Sequence, residues 1–161
     1  LQGSEVRYLQ GAPLKTAKEP GEKHRREPYF NWREEKFFNS MNIKAINIQE
    51  KLSLFNTHWD PKLVGEINGQ EVKVVKLKGE FVWHDHTDAD ELFLVVKGHL
   101  IIHFRDKDVH ADEGEIIIVP KGIEHKPEAP EEVHIVLIDP KGTVNTGDVE
   151  TEHTVKKPTE V

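Results

Sequence analysis

The chain has 161 residues, 36% of them hydrophobic and 32% charged, with a net charge of -7 and no cysteine. One ordinary domain fits that length better than two, since domains run about 100 to 150 residues. The missing cysteines exclude disulfides, thiolate catalysis and Cys-ligated zinc. The acid excess argues against a polyanion partner, because phosphate backbones are held by Lys and Arg.

Charge is unevenly spread. Residues 1–40 carry 8 Lys+Arg against 6 Asp+Glu, leaving 14 against 23 in the remainder. The first 40 residues mix Gly, Pro and charge without a sustained helix or strand period, and are expected to form a loose segment. Met41, the only methionine, stands where regular patterning begins. One reading makes it the natural start, with residues 1–40 upstream of it; the other makes that segment a real extension docking Tyr29, Phe30, Trp32, Phe37 and Phe38 onto the domain. No apolar run approaches the roughly 18 residues of a membrane-spanning helix, and no charged-then-apolar leader is visible. The expectation is a cytoplasmic protein with neither membrane nor nucleic acid as a partner.

From Ile48 the positions Ile48, Leu52, Phe55 and Trp59 recur at helical spacing, predicting one short amphipathic helix that Asp60-Pro61 stops. Beyond it the pattern changes to strands. Leu63–Ile67 and Val72–Leu77 flank Asn68-Gly69, a pair suited to the positive φ angles of a tight hairpin. Gly79 permits a bend before a predicted strand from Phe81 to His86. Thr87 to Asp90 reverse the chain into Glu91–Val96, and Lys97-Gly98-His99 leads to Leu100–Phe104. Val109–Ala111 follows, then Ile116–Val119, whose unbroken apolar run predicts burial on both faces. Val133–Ile138 is the last expected strand. About eight short strands and almost no helix predict an all-β barrel or double-sheet jelly roll over residues 41–140. The polar residues 141–161 are expected to be an irregular tail, wrapping a surface or a partner subunit.

Side chains on a strand alternate faces, so His84 and His86 should point the same way. Glu91 follows after a turn, and His125 lies beyond a Gly-containing one. Three imidazoles and a carboxylate suit a divalent transition metal without any thiolate. By the same parity Val82, Phe93 and Val95 should line the site, while Phe81, Trp83 and Asp85 face away. His134 alternates with Val133 and Ile135 and is a candidate to face the barrel interior; packing in the core or at the surface is the other reading. No free carboxylate is clearly placed at the site, though Lys76 or Lys78 could reach it.

These residues fall into two spaced motifs. Gly79, His84, His86, Glu91 and Gly98 match G-x5-HxH-x3,4-E-x6-G, except that four residues rather than five separate Gly79 from His84. Gly114, Pro120, Gly122 and His125 match G-x5-PxG-x2-H-x3-N, with Ala129 in place of the final asparagine. In both the chain resembles the cupin superfamily, closest to small single-domain cupins, some of them named by analogy to mannose-6-phosphate isomerase. The resemblance implies a double-stranded β-helix barrel with His84, His86, Glu91 and His125 as ligands of one divalent metal, be it Mn, Fe, Co, Ni, Cu or Zn.

Two functions follow from that site. One is a metal-dependent enzyme acting on a small organic molecule, of dioxygenase, isomerase or lyase type. The other is a non-catalytic module binding a sugar or carboxylate through the metal. A third, structural reading has the metal only stapling the barrel. Exposed sheet edges lead to the expectation of a homodimer.

Overall fold

A computed structural model describes residues 43–161, and every element below lies within one compact unit, Ile46–Val161. Expectations for residues 1–40 fall outside the described residues. Among the described residues one short helix, α1 (Ile48–Leu52), precedes eight strands. They are β1 (Lys62–Ile67), β2 (Gln70–Glu80), β3 (Glu91–Lys97), β4 (Leu100–Phe104), β5 (Asp108–Ala111), β6 (Ile116–Val119), β7 (His125–Pro140) and β8 (Thr159–Glu160). The fold is the all-β jelly roll that the sequence predicts.

The long β7 organises it. Along one edge β7 pairs with β2, from Gln70↔Pro140 to Glu80↔Glu128. Along its other edge the first half pairs with β4 and the second half with β3. One strand therefore holds both layers together. A bulge between Leu77 and Gly79, where Gly79 takes φ +80°, bends β2 around the barrel. The Asn68-Gly69 hairpin turns with both residues at positive φ, 51° and 78°, as its sequence requires.

Alternation on β2, β3 and β7 separates two cores. Val75, Leu77, Phe93, Val95, Ile135 and Leu137 fill the interior with Trp59 and Phe81. Val74 and Val136 face outward, where Leu52 and Phe55 cover them. The helix is shorter than its stripe predicts. Asn47 caps it at one end and Ser53 at the other, and Phe55 and Trp59 are delivered by the irregular chain beyond. Trp59 sits at φ +58° with its indole donating to the Lys78 carbonyl.

Three other expectations are corrected. Phe81–His86 is irregular chain rather than a strand, with one isolated bridge between His84 and His125. The last long strand starts at His125 rather than Val133, and within its added half the Pro127 carbonyl accepts from Phe81 N–H. The β6 run is not buried on both faces, since Ile116 is 54% exposed. The tail, irregular except for its last residues, folds back on its own chain and adds β8 parallel to β1. Among the described residues no helix is long and apolar enough to cross a membrane.

Candidate metal centre

The bend at Gly79 and the turn through Gly122 bring two distant segments together at one end of the interior. His84 and His125 exchange backbone hydrogen bonds of 3.0 and 2.9 Å, and Gly122 N–H donates to the His86 carbonyl at 2.8 Å. Lys121 N–H donates to the Asp90 carboxylate at 2.8 Å, fixing the loop that leads into Glu91. These contacts converge the four side chains. His84, His86, Glu91 and His125 are all buried, with one ligand-type atom from each within 4.8 Å of every other.

The histidines are oriented by what their other nitrogens touch. Nδ1 of His84 lies 3.0 Å from the Val82 carbonyl and Nδ1 of His125 lies 2.9 Å from the Ile123 carbonyl. A carbonyl can only accept, so both Nδ1 atoms carry the proton and both Nε2 lone pairs are free for the cluster. His125 Nε2 is 3.3 Å from Glu91 Oε2. His86 Nε2 is 3.5 Å from the same oxygen, an electrostatic contact too long for a good hydrogen bond, and this buried atom has no hydrogen-bond partner.

The electrostatics follow from burial and mutual proximity. Burial, reinforced by the neighbouring His125, lowers the His84 imidazole to about 4. For His86 burial also disfavours charge, but Glu91 outweighs it and the net direction is upward. Burial pushes Glu91 up, yet His125 and His86 outweigh it and hold the carboxyl at about 2. An ionised carboxylate among three imidazoles is the donor set that a divalent metal takes, and the orphaned His86 Nε2 fits an ion as its missing partner. The cluster can hold a metal ion.

A cavity of about 30 Å³ adjoins it, lined by Trp59, Leu77, Phe81, Phe93 and Ile135 among others, together with His84 and Glu91. Phe93 and Val95 face the interior as parity predicts. Phe81 corrects its expected outward facing: it is buried, stacks on Trp59 at 4.8 Å between ring centroids, and meets His84 edge-on. Alternation fails there because the Gly79 bend ends the strand first. Trp83 does turn away, under the Arg105 guanidinium at 3.8 Å.

The other candidates do not enter. Lys76 donates to the Phe55 carbonyl on the outer face, and Lys78 is exposed. His134 pairs with Glu132 on that outer face. Asn145 does line the cavity, which nothing in its polar, Gly-flanked surroundings signalled.

A family model described as the cupin domain matches residues 71–139, which span both ligand-bearing segments. A solved cupin-2 domain protein from Shewanella frigidimarina is 49% identical, with a TM-score of 0.60; the match covers 95% of that chain and 60% of this one. The chain belongs to the cupin family. Protein NMB1881 from Neisseria meningitidis resembles this cupin at 29% identity and a TM-score of 0.57, over 100% of that chain and 61% of this one. The uncharacterized protein YdbB of Bacillus subtilis is 38% identical over 64 residues, 39% of this cupin and 57% of YdbB. This chain therefore spans little more than half the length of that curated relative.

Proposed function

We propose that His84, His86, Glu91 and His125 bind one divalent transition metal, and that this cupin is a metal-dependent enzyme acting on a small, largely apolar organic molecule. The observation that carries the reading is the convergence of four buried ligand-type atoms at the wall of an apolar cavity. Four protein ligands leave one or two positions open on a five- or six-coordinate ion, which when bound would supply Lewis-acid or redox chemistry there.

The chain's own residues set the rest. Val82 and Ile123 carbonyls fix two imidazoles in the tautomer that presents Nε2. Trp59, Phe81 and Phe93 exclude water and favour an apolar substrate body. The described cavity lining includes no Lys, Arg, Ser or Thr to grip a phosphate or sugar hydroxyls, and its one further polar side chain, Asn145, is engaged with the backbone. Oxidative or lyase-type chemistry suits this lining better than sugar isomerisation, which needs a separate acid and base.

The same lack of a free acid or base supports a second reading, a module that binds a small ligand through the metal without turning it over. Metal analysis of the purified protein, followed by oxygen uptake and turnover screens of wild type and His86→Ala, separates the two. Metal-dependent turnover that His86→Ala abolishes is expected. Ligand-induced thermal stabilisation without turnover would favour the binding module. Less than a tenth of an equivalent of any transition metal after reconstitution would sink both.

A further inference from the structure

The interior holds a second charged group that the proposed chemistry does not use. Lys73 is 1% exposed, and its ammonium lies 2.6 and 2.7 Å from the two oxygens of Asp139, itself 0% exposed. Glu71, 5% exposed, stands 3.7 Å from the same ammonium and has an Oε2 without a hydrogen-bond partner. Buried charge is costly unless compensated, so this group calls for an accounting.

Strand register places it. Glu71 is directly opposite Asp139 across β2 and β7. On the other side of β7, Leu92 pairs with Ile138 and Phe93 with Leu137, which puts Glu91 at the position next to Asp139 on β3. All three acids share the inward parity of Val75, Leu137 and Phe93. Glu71, Asp139 and Glu91 thus form a row across three adjacent strands, with Lys73 as the one fixed cation among them. Two negative charges are left over, which is the charge a divalent cation neutralises.

The acids of the row act on one another. Burial pushes the Asp139 carboxyl up to about 6 against the pull of Lys73, and Glu91 and Glu71 add to the rise.

We infer that Glu71, Lys73 and Asp139 are a charge-balancing group behind the four ligands, with Asp139 and Glu71 as positioning residues that raise the site's affinity for a divalent cation without touching it. Lys73 limits that gain and keeps the row soluble in the protein interior. The inference rests on the metal-centre reading above.

The test is titration of the purified, chelator-stripped full chain with Co²⁺ at pH 7.5, reading affinity and the visible spectrum. Asp139→Asn and Glu71→Gln should each weaken Co²⁺ binding about tenfold, the scale of effects from groups just outside a ligand set. Their spectra should keep the wild-type shape, because no ligand changes. Lys73→Met should bind several-fold more tightly. The opposite signs are the discriminating feature: a merely structural role would weaken binding in all three. Should Lys73→Met fail to fold, the double variant Lys73→Met with Asp139→Asn removes both charges of the pair, and is expected to bind within about threefold of wild type. Affinities unmoved in the acid variants, or lowered in every variant alike, would overturn the inference while leaving the metal centre standing. A wild type that binds no Co²⁺ would overturn the metal-centre reading and this inference together.

Discussion

At the scale of single residues, backbone geometry and burial bear directly on the site. Gly147 takes φ +55°, and a Cβ there would lie 1.9 Å from the carbonyl oxygen of Asp85, the residue between His84 and His86. Neither backbone can yield without displacing the other. Gly147→Ala should therefore cost about 2 kcal/mol or more, combining the clash with left-handed strain. Gly142→Ala is its control: φ is +86° but the space is open, so only strain of about 1 kcal/mol applies. Urea denaturation of both variants measures the difference. His84 gives a pH prediction of definite sign. Its imidazole falls from 6.5 to about 4 on folding, so in the metal-free protein the unfolded chain takes up the proton first as pH drops. Stability is full above 6.5 and is lost as pH falls toward 4, by up to about 3 kcal/mol, with the upward shift of His86 offsetting part of it. Urea midpoints in the presence of chelator should drop between pH 7.5 and pH 5, and His84→Asn should flatten that dependence.

At the scale of elements, what was legible in the sequence is what obeys a simple period or a turn rule. The β2 to β6 segments, the Asn68-Gly69 hairpin and the two glycine-marked motifs stand close to where their residues put them, and the four candidate ligands converge as the HxH spacing and the second motif imply. Period-two reasoning failed where backbone chemistry interrupts the period. The bend at Gly79 removes Phe81 from strand parity, so an aromatic ring expected outside ends against His84. Strand β7 was half hidden because Pro127 and Pro130 each lack the N–H that a continuous ladder uses, and the strand pairs piecewise, its first half with β4 and its second with β3. The charged row was hidden for a different reason. Val72 and Val74 look like the inward face of β2 and Lys73 the outward one, until α1 and Phe55 cover Val74 and the interior turns out to be the face of Glu71, Lys73 and Val75. The adjacent Val74-Val75 pair is the one local sign that both faces are buried.

At the scale of the whole molecule, the tail from residue 141 closes the barrel that the strands leave open. Asn145 is its fastening. Its Nδ2 donates to the carbonyls of Trp59 and His153, at 3.3 and 2.9 Å, while its Oδ1 accepts from Val155 N–H at 2.7 Å. The His153 ring in turn lies 5.8 Å from Phe81, between centroids. A cavity of about 30 Å³ is water-sized, so an organic molecule enters only when a wall moves. Strands β2, β3 and β7, which line the cavity, are tied by ladders on both sides, whereas the Trp59 side is held to the tail by a single amide, which makes it the wall of least resistance. Asn145→Ala removes those three bonds and should lower global stability by about 1 to 3 kcal/mol, without disturbing the sheet. With Trp32 and Trp83 replaced by Phe, the remaining emission reports on Trp59 alone, and acrylamide should quench it several-fold more efficiently in the Asn145→Ala background. Equal quenching at equal stability would show that the Asn145 fastening does not govern access to the Trp59 side.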